Sequence, residues 1–449
     1  MYIPTFERWF DLGEDDRIKN ELTRCLPQDP LLGVLSTVLA VMRGAVAPLP
    51  PVADAPPEDC QFVRQIWGLS DIVSPDGRLR VDAVFPSFRT ADTSFDFLDK
   101  NCDLPWSIAK LMNLIALCRI KPTRRAAVVA TMRNDGISML EFVAHYRTLG
   151  FDHIFIFSND NSDGTEQMLR LLAEHKIVSY INNPISRDTS PQRKAFEYSV
   201  HFLVELRDFE WVFFADSDEL LVPAPKFGFN IGSVIDAIGQ AYPEDLPSAI
   251  CYVWKWYGGH TFHREPGFQL QKFTFSRLTS TVKSMVRLCD VKSMKPIHYP
   301  ICKHRSFFIN SAFERVETWA PSKAPVNCEG GWVNHYWNKS FEEYCVKRTR
   351  GDSLDMDDQK NAFKRTDQQY FSWNVPAVEQ HFDPSSDAII AAVALEYEQL
   401  LLLPKVRELN DEISKSFPNF VRSLIDVSEM KIRFDALAPR YPNLKFKDV

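Results

Sequence analysis

Short uncharged runs alternate with stretches in which apolar residues recur every three or four positions, and this rhythm becomes regular near residue 125. Ala127 to Thr131 reads as a strand buried on both faces, too short and too uniformly apolar for an amphipathic helix. Met139, Leu140, Phe142, Val143, Tyr146 and Leu149 then keep helical spacing, and Gly150 is placed to close that helix. Ile154 to Phe157 predicts a second strand, and Asp163-Gly164-Thr165-Glu166 opens a helix carrying Met168, Leu169, Leu171 and Leu172. Val178 to Ile181 predicts a third strand, and Pro191 to Arg207 a third helix with proline in its first turn. A fourth strand ends at Ala215. This alternation implies an α/β fold with a mostly parallel sheet and helices on both faces. The order 3-2-1-4 sets the first and fourth strands side by side, so that residues 131–135 and 216–219 face one crevice.

The flanks follow other rules. Residues 46–57 hold five prolines and predict an extended connector inside a helical or mixed N-terminal region, 1–120. From about 250 to 335 the chain is rich in aromatics, Lys, Arg and His, and predicts shorter strands and loops. A C-terminal helical region, 353–449, shows helical patterns at Ala388 to Leu403 and Val406 to Phe417. The formal net charge of -7 gives no reason to expect a nucleic-acid partner. Nine scattered cysteines without a CxxC pair favour buried thiols in a reducing compartment over a zinc site. The N-terminus lacks the pattern of a signal peptide, and Leu31 to Met42 is too short to span a bilayer. The expected location is cytoplasmic, with peripheral membrane association open.

Chemistry concentrates where the fourth strand ends, in Trp211-Val-Phe-Phe-Ala-Asp216-Ser217-Asp218-Glu219. Two aspartates one residue apart at a strand's C-terminal rim can present oxygens to Mg²⁺ or Mn²⁺, which such sites share with substrate phosphates. The arrangement suggests a metal-assisted nucleotide-sugar site, although the same spacing also occurs on solvated turns. Thr131 to Asp135 and Ser158 to Thr165 lie at the ends of strands one and two and offer acceptors for a base and ribose. Asn159, Asn161, Asp163 and Gly164 also match the opening of a calcium loop, but Arg170 stands where the bidentate Glu belongs. A simpler role is equally available: Asn and Ser fill a turn, and Asp163 or Thr165 caps the next helix.

Several ordered motifs now coincide. Segment 132–165, MRNDGISMLEFVAHYRTLGFDHIFIFSNDNSDGT, is followed by EWVFFADSDELLV (210–222), VKSMVR (282–287) and VNHYWNKSFEEYCVKRTRGD (333–352). Together they resemble the GT-A-fold glycosyltransferases of the family 2-like and family 92-like group. The resemblance spans roughly 125–352, within an expected catalytic domain of 121–352, and departs from the family at Asp135, where Glu is usual. It implies a Rossmann-like GT-A sheet with added helical N- and C-terminal segments. It also implies a metal bound by Asp218, with Asp216 contacting ribose or metal and His335 as a third ligand or diphosphate contact. Lys283 and Arg287 would hold the diphosphate or an anionic acceptor, and Arg133, Asn134 and Asp160 the base or ribose.

The expected reaction is transfer from a nucleoside diphosphate sugar, UDP favoured over GDP, to a glycan, polysaccharide or lipid-linked glycan. Inversion, the expected outcome, needs a base to deprotonate the acceptor hydroxyl. Glu265 is the first candidate by position, then Glu219, His260 and Asp290, with Gly258-Gly259 lending mobility to the Glu265 loop. Glu219 has a second possible role, supporting Asp218. Two other functions fit less well. A sugar nucleotidyltransferase would carry a Gly-rich phosphate loop after strand one, absent in Thr131 to Gly136, and a non-catalytic nucleotide- or glycan-binding module would not need the intact aspartate pair.

Overall fold

The computed structural model describes residues 90–92, 122–184, 190–201, 203–294, 296–302, 307–316, 326–349, 365–376 and 386–447. The expected N-terminal helices and the Pro-rich connector lie outside them. The first half is β1 (Thr90–Asp92), β2 (Arg124–Met132), α1 (Gly136–Thr148), β3 (His153–Ser158), α2 (Thr165–Glu174), β4 (Ser179–Asn182), α3 (Pro191–His201), β5 (Phe209–Asp216) and β6 (Glu219–Pro223). Next come α4 (Ile231–Ala241), β7 (Ala249–Tyr257), α5 (Gln269–Lys272), β8 (Ser276–Arg287), β9 (Val291–Ser293), β10 (Ile301–Cys302), β11 (Phe308–Asn310) and β12 (Gly331–His335). The chain continues through α6 (Phe341–Thr349), α7 (Asp367–Ser372), α8 (Ser386–Leu401), α9 (Val406–Leu424) and α10 (Val427–Leu437).

Ten strands form one sheet in the order β1-β4-β3-β2-β5-β8-β7-β12-β6, with β11 also paired to β7. The expected 3-2-1-4 order is the segment β4-β3-β2-β5, and its pairings are all parallel. Beyond β5 the sheet is mixed: β8 runs antiparallel to both β5 and β7, and β12 pairs parallel to β7 and antiparallel to β6. The period-2 geometry of a strand sorts side chains to two layers. Ala126, Val128, Ala130, Trp211, Phe213 and Ala215 pack with α1, α2 and α4, while Ala127, Val129, Val212 and Phe214 pack with α3. Helices therefore cover both faces, as the apolar runs predict.

Three expectations need correction. The helix expected over 191–207 ends at His201, and a 3₁₀ turn, Val204–Asp208, leads into β5. Region 250–335 carries the expected short strands in β9 to β12, but also two long ones, the nine-residue β7 and the twelve-residue β8. The C-terminal helical pattern continues into α10, whose first turn is capped by the Asp426 carboxylate on the N–H groups of Ser428 and Glu429. Ile389, Val393, Leu400, Val406 and Ile413 of α8 and α9 join the core on the α1 face. A separate aromatic cluster of Phe262, Phe341, Tyr344, Tyr370, Phe371 and Phe434 ties α6, α7 and α10 together.

Candidate active site

The turn between β5 and β6 places Asp216, Asp218 and Glu219 at the C-terminal rim of the parallel half. β12 fixes it from the other side: His335 is the ladder partner of Glu219, and the Tyr336 N–H donates to the Asp218 carbonyl at 2.9 Å. His335 Nε2 lies 3.7 Å from Asp218 Oδ2, and the Lys347 ammonium of α6 bonds the same oxygen. Burial alone would raise Asp218, but the Lys347 charge and His335 hold its carboxyl well below the usual range. Burial lowers His335 below its ordinary value despite the attraction of Asp218.

Asp216 has a different shell. One oxygen accepts from the Gln192 amide and the other from Lys283 at 3.2 Å. The fully buried Lys283 also reaches Glu219 at 3.2 Å, and Glu219 accepts the Asp216 N–H at 2.9 Å. Burial raises Glu219, with Lys283 opposing and the two aspartates reinforcing, whereas Asp216 and Glu219 outweigh burial to raise Lys283. Glu219 thus braces the turn from within the sheet and, with no exposed surface, is not placed to meet an acceptor hydroxyl.

On the other flank, the loops after β2 and β3 are laced together. The Asn134 N–H donates to Asn161 Oδ1 at 2.9 Å, and the Ser162 N–H donates to Asn134 Oδ1 at 2.8 Å. Asp163 accepts from Gly136 N at 2.8 Å, Thr165 N at 3.0 Å and Thr165 Oγ1 at 2.6 Å, so one carboxylate serves the first turns of both α1 and α2. Gly164 has a φ of +92°, and a Cβ there would run into Ile413 of α9. These loops occupy Asn134 in structural bonding, while Asp160 remains exposed and Arg133 half-buried at the rim.

Other expected residues fall elsewhere. Arg287 pairs in register with Trp211 at the start of β5 and binds Asp290 at 2.7 Å, because antiparallel β8 carries it four residues away from Lys283 toward the opposite rim. Asp290 is further tied to Ser248 at 2.9 Å. Both Glu265 oxygens are engaged by Lys447 at 2.9 and 3.0 Å. His260 bonds the Leu444 carbonyl. Gly258-Gly259 is not a hinge: a Cβ on Gly259 would fall on the Lys339 carbonyl, and the Gly259 carbonyl accepts from the Tyr370 hydroxyl at 3.0 Å. These glycines permit close packing rather than motion.

Sequence reasoning missed Gln192 and Lys347 as site residues. Lys347 falls inside the quoted segment 333–352, but only the packing of α6 shows that it reaches Asp218. Trp254 and Trp256 were also missed; they flank His335 with ring centroids 4.1 and 5.3 Å away.

Among the described residues no group of three or more His, Cys, Asp or Glu side chains converges as a metal cage. Asp218 and His335 nevertheless suit a hard divalent ion as a pair. Ligands about 2.0–2.2 Å from one ion can stand 3.7 Å apart, and such ions commonly complete their shell with water and substrate phosphate. Asp216 is engaged through both oxygens, by Gln192 and Lys283, and Asp218 through Oδ2 by Lys347.

Residues 129–377 match the model of glycosyltransferase family 92. The chain belongs to glycosyltransferase family 92. As a family 92 member it is a glycosyltransferase. No curated protein shows a significant sequence match. Among solved structures, Staphylococcus aureus TarS 1–349 aligns at 15% identity and a TM-score of 0.26, covering 66% of this chain and 91% of that one. The same TarS segment in complex with UDP aligns at 14% identity and a TM-score of 0.26, with the same coverage. In this family 92 chain, no helix among the described residues is long and apolar enough to cross a membrane.

Proposed function

We propose that this glycosyltransferase transfers a sugar from a nucleoside diphosphate sugar, with UDP the preferred nucleotide, to a glycan acceptor with inversion. The observation that carries the reading is the meeting of Asp218, His335 and Lys347 at the rim of β5, beside the laced loops after β2 and β3. Nucleotide would lie along those loops, with Arg133 and Asp160 at its base or ribose. Lys347 is placed to pair with diphosphate oxygens in exchange for its bond to Asp218. Lys283 and Glu219 hold Asp216 and the turn in place from below. A divalent Mg²⁺ or Mn²⁺ on Asp218 and His335 would neutralise the departing diphosphate.

The test is calorimetric binding of UDP, GDP and CMP with Mn²⁺ and with EDTA, on wild type and Asp218→Asn. Mn²⁺-dependent UDP binding that the variant loses is the expected result. A folded wild type that binds none of the nucleotides would overturn the proposal.

A further inference from the structure

A line of aromatic rings runs outward from the candidate site on the side of β5 opposite the nucleotide loops. It starts at His335, which Trp254 and Trp256 flank. Trp256 contacts Trp337 at 5.3 Å between centroids, and Trp337 contacts Trp373 at 5.3 Å. Trp373, at the outer end, is 45% exposed. Strand order explains the placement: β3 and β2 precede β5 in the sheet, whereas β8, β7 and β12, which supply Arg277, Trp256 and His335, follow it.

Two features separate this line from ordinary core. The indole N–H groups of Trp254 and Trp256 are buried without a hydrogen-bond partner among the described residues, and Trp254 is only 9% exposed. Indole is a donor only, and buried donors are rarely left unmet. Arg277 is the cross-strand neighbour of Trp256 and lies 6.0 Å from its ring; its one hydrogen bond among the described residues goes to the Trp373 carbonyl at 3.4 Å. No carboxylate among the described residues pairs with it. Flat apolar faces and a guanidinium without a carboxylate partner among the described residues suit a ring with C–H faces and a negative substituent.

We propose that Trp256, Trp337, Trp373 and Arg277 form the acceptor subsite and take an anionic sugar at the end of a glycan, its ring stacked on the indoles and its negative group at Arg277. The inference rests on the transferase reading above, which sets the nucleotide on the opposite side of Asp218.

The experiment measures tryptophan-fluorescence binding of three oligosaccharides to the full chain in the presence of UDP and Mn²⁺. One ends in a uronic acid, one in a sugar phosphate and one in a neutral sugar. At least one anionic sugar is expected to bind tenfold or more tightly than the neutral one, which identifies whether carboxylate or phosphate is read. Trp373→Ala, at an exposed position, should weaken that binding about tenfold, equivalent to ~1.4 kcal/mol. Arg277→Gln should remove the preference for the anionic sugar. UDP calorimetry on the same samples separates the two failures. UDP binding without sugar binding, equal binding of all three sugars, or unchanged affinity in Trp373→Ala overturns the subsite alone. Loss of UDP binding in the wild type overturns the transferase reading and the subsite with it.

Discussion

Asp163→Ala tests how the nucleotide side of the crevice is held. The substitution removes three hydrogen bonds that one carboxylate accepts from Gly136 and Thr165, across the first turns of two helices. Loss of a side-chain N-cap costs up to ~2 kcal/mol for one helix, and hydrogen bonds to a charged group contribute roughly 1.5–3 kcal/mol each when buried. Asp163 is only half-buried while both helix starts are buried, so the sum is discounted to about 3 kcal/mol. Asp163→Asn keeps one acceptor oxygen but turns an amide N–H₂ toward the other backbone donor, and should lose about half as much. Urea unfolding gives both values from midpoint shifts at unchanged slope. The same variants should bind UDP more weakly, because the Asn134–Asn161 lacing sits on the loops that Asp163 fixes. An alanine variant within ~0.5 kcal/mol of wild type would show that α1 and α2 do not depend on the shared cap.

Lys283→Met should cost about 3–5 kcal/mol by leaving Glu219 and Asp216 without their cation, and much of that should return in Lys283→Met/Glu219→Gln; denaturant unfolding of the single and double variants checks both. His153 is buried against Ser179, and burial lowers its ring to about 3 from 6.5. Because the folded value is depressed, its contribution is complete above pH 6.5 and is lost as pH falls toward 3. Stability of His153→Gln should therefore decline less steeply with acid, by up to ~1.4 kcal/mol per pH unit near pH 5, in urea unfolding at a series of pH values. Gly259→Ala, forced against the Lys339 carbonyl, should destabilise by at least ~2 kcal/mol or yield insoluble protein, judged by thermal unfolding and soluble expression.

The parallel half was legible because strands buried on both faces read as continuous apolar runs, and helices at their ends carry Gly, Asp and Pro signals. β7 and β8 were not. They interleave Lys, Arg and Ser with aromatics, as in Tyr252-Val-Trp-Lys255-Trp and Val282-Lys283-Ser-Met, so neither a uniform run nor a clean alternation appears. The aspartate pair was readable from the strand that ends in it. Its partners were not, since Gln192 and Lys347 reach the rim only through the packing of α3 and α6. Arg287 misled for a related reason: sequence proximity to Lys283 says nothing about which end of an antiparallel strand faces the crevice.

The pairing of β6 with β12 has a consequence for chain length. Glu219 and His335 are opposite one another in a five-rung ladder that runs back to Pro223 and Gly331. Inserting or deleting one residue within β12 would present Asn334 or Tyr336 at the rim in place of His335, since each step along a strand reverses the face. The register thus brings Asp218 and His335, 117 positions apart in sequence, to one point.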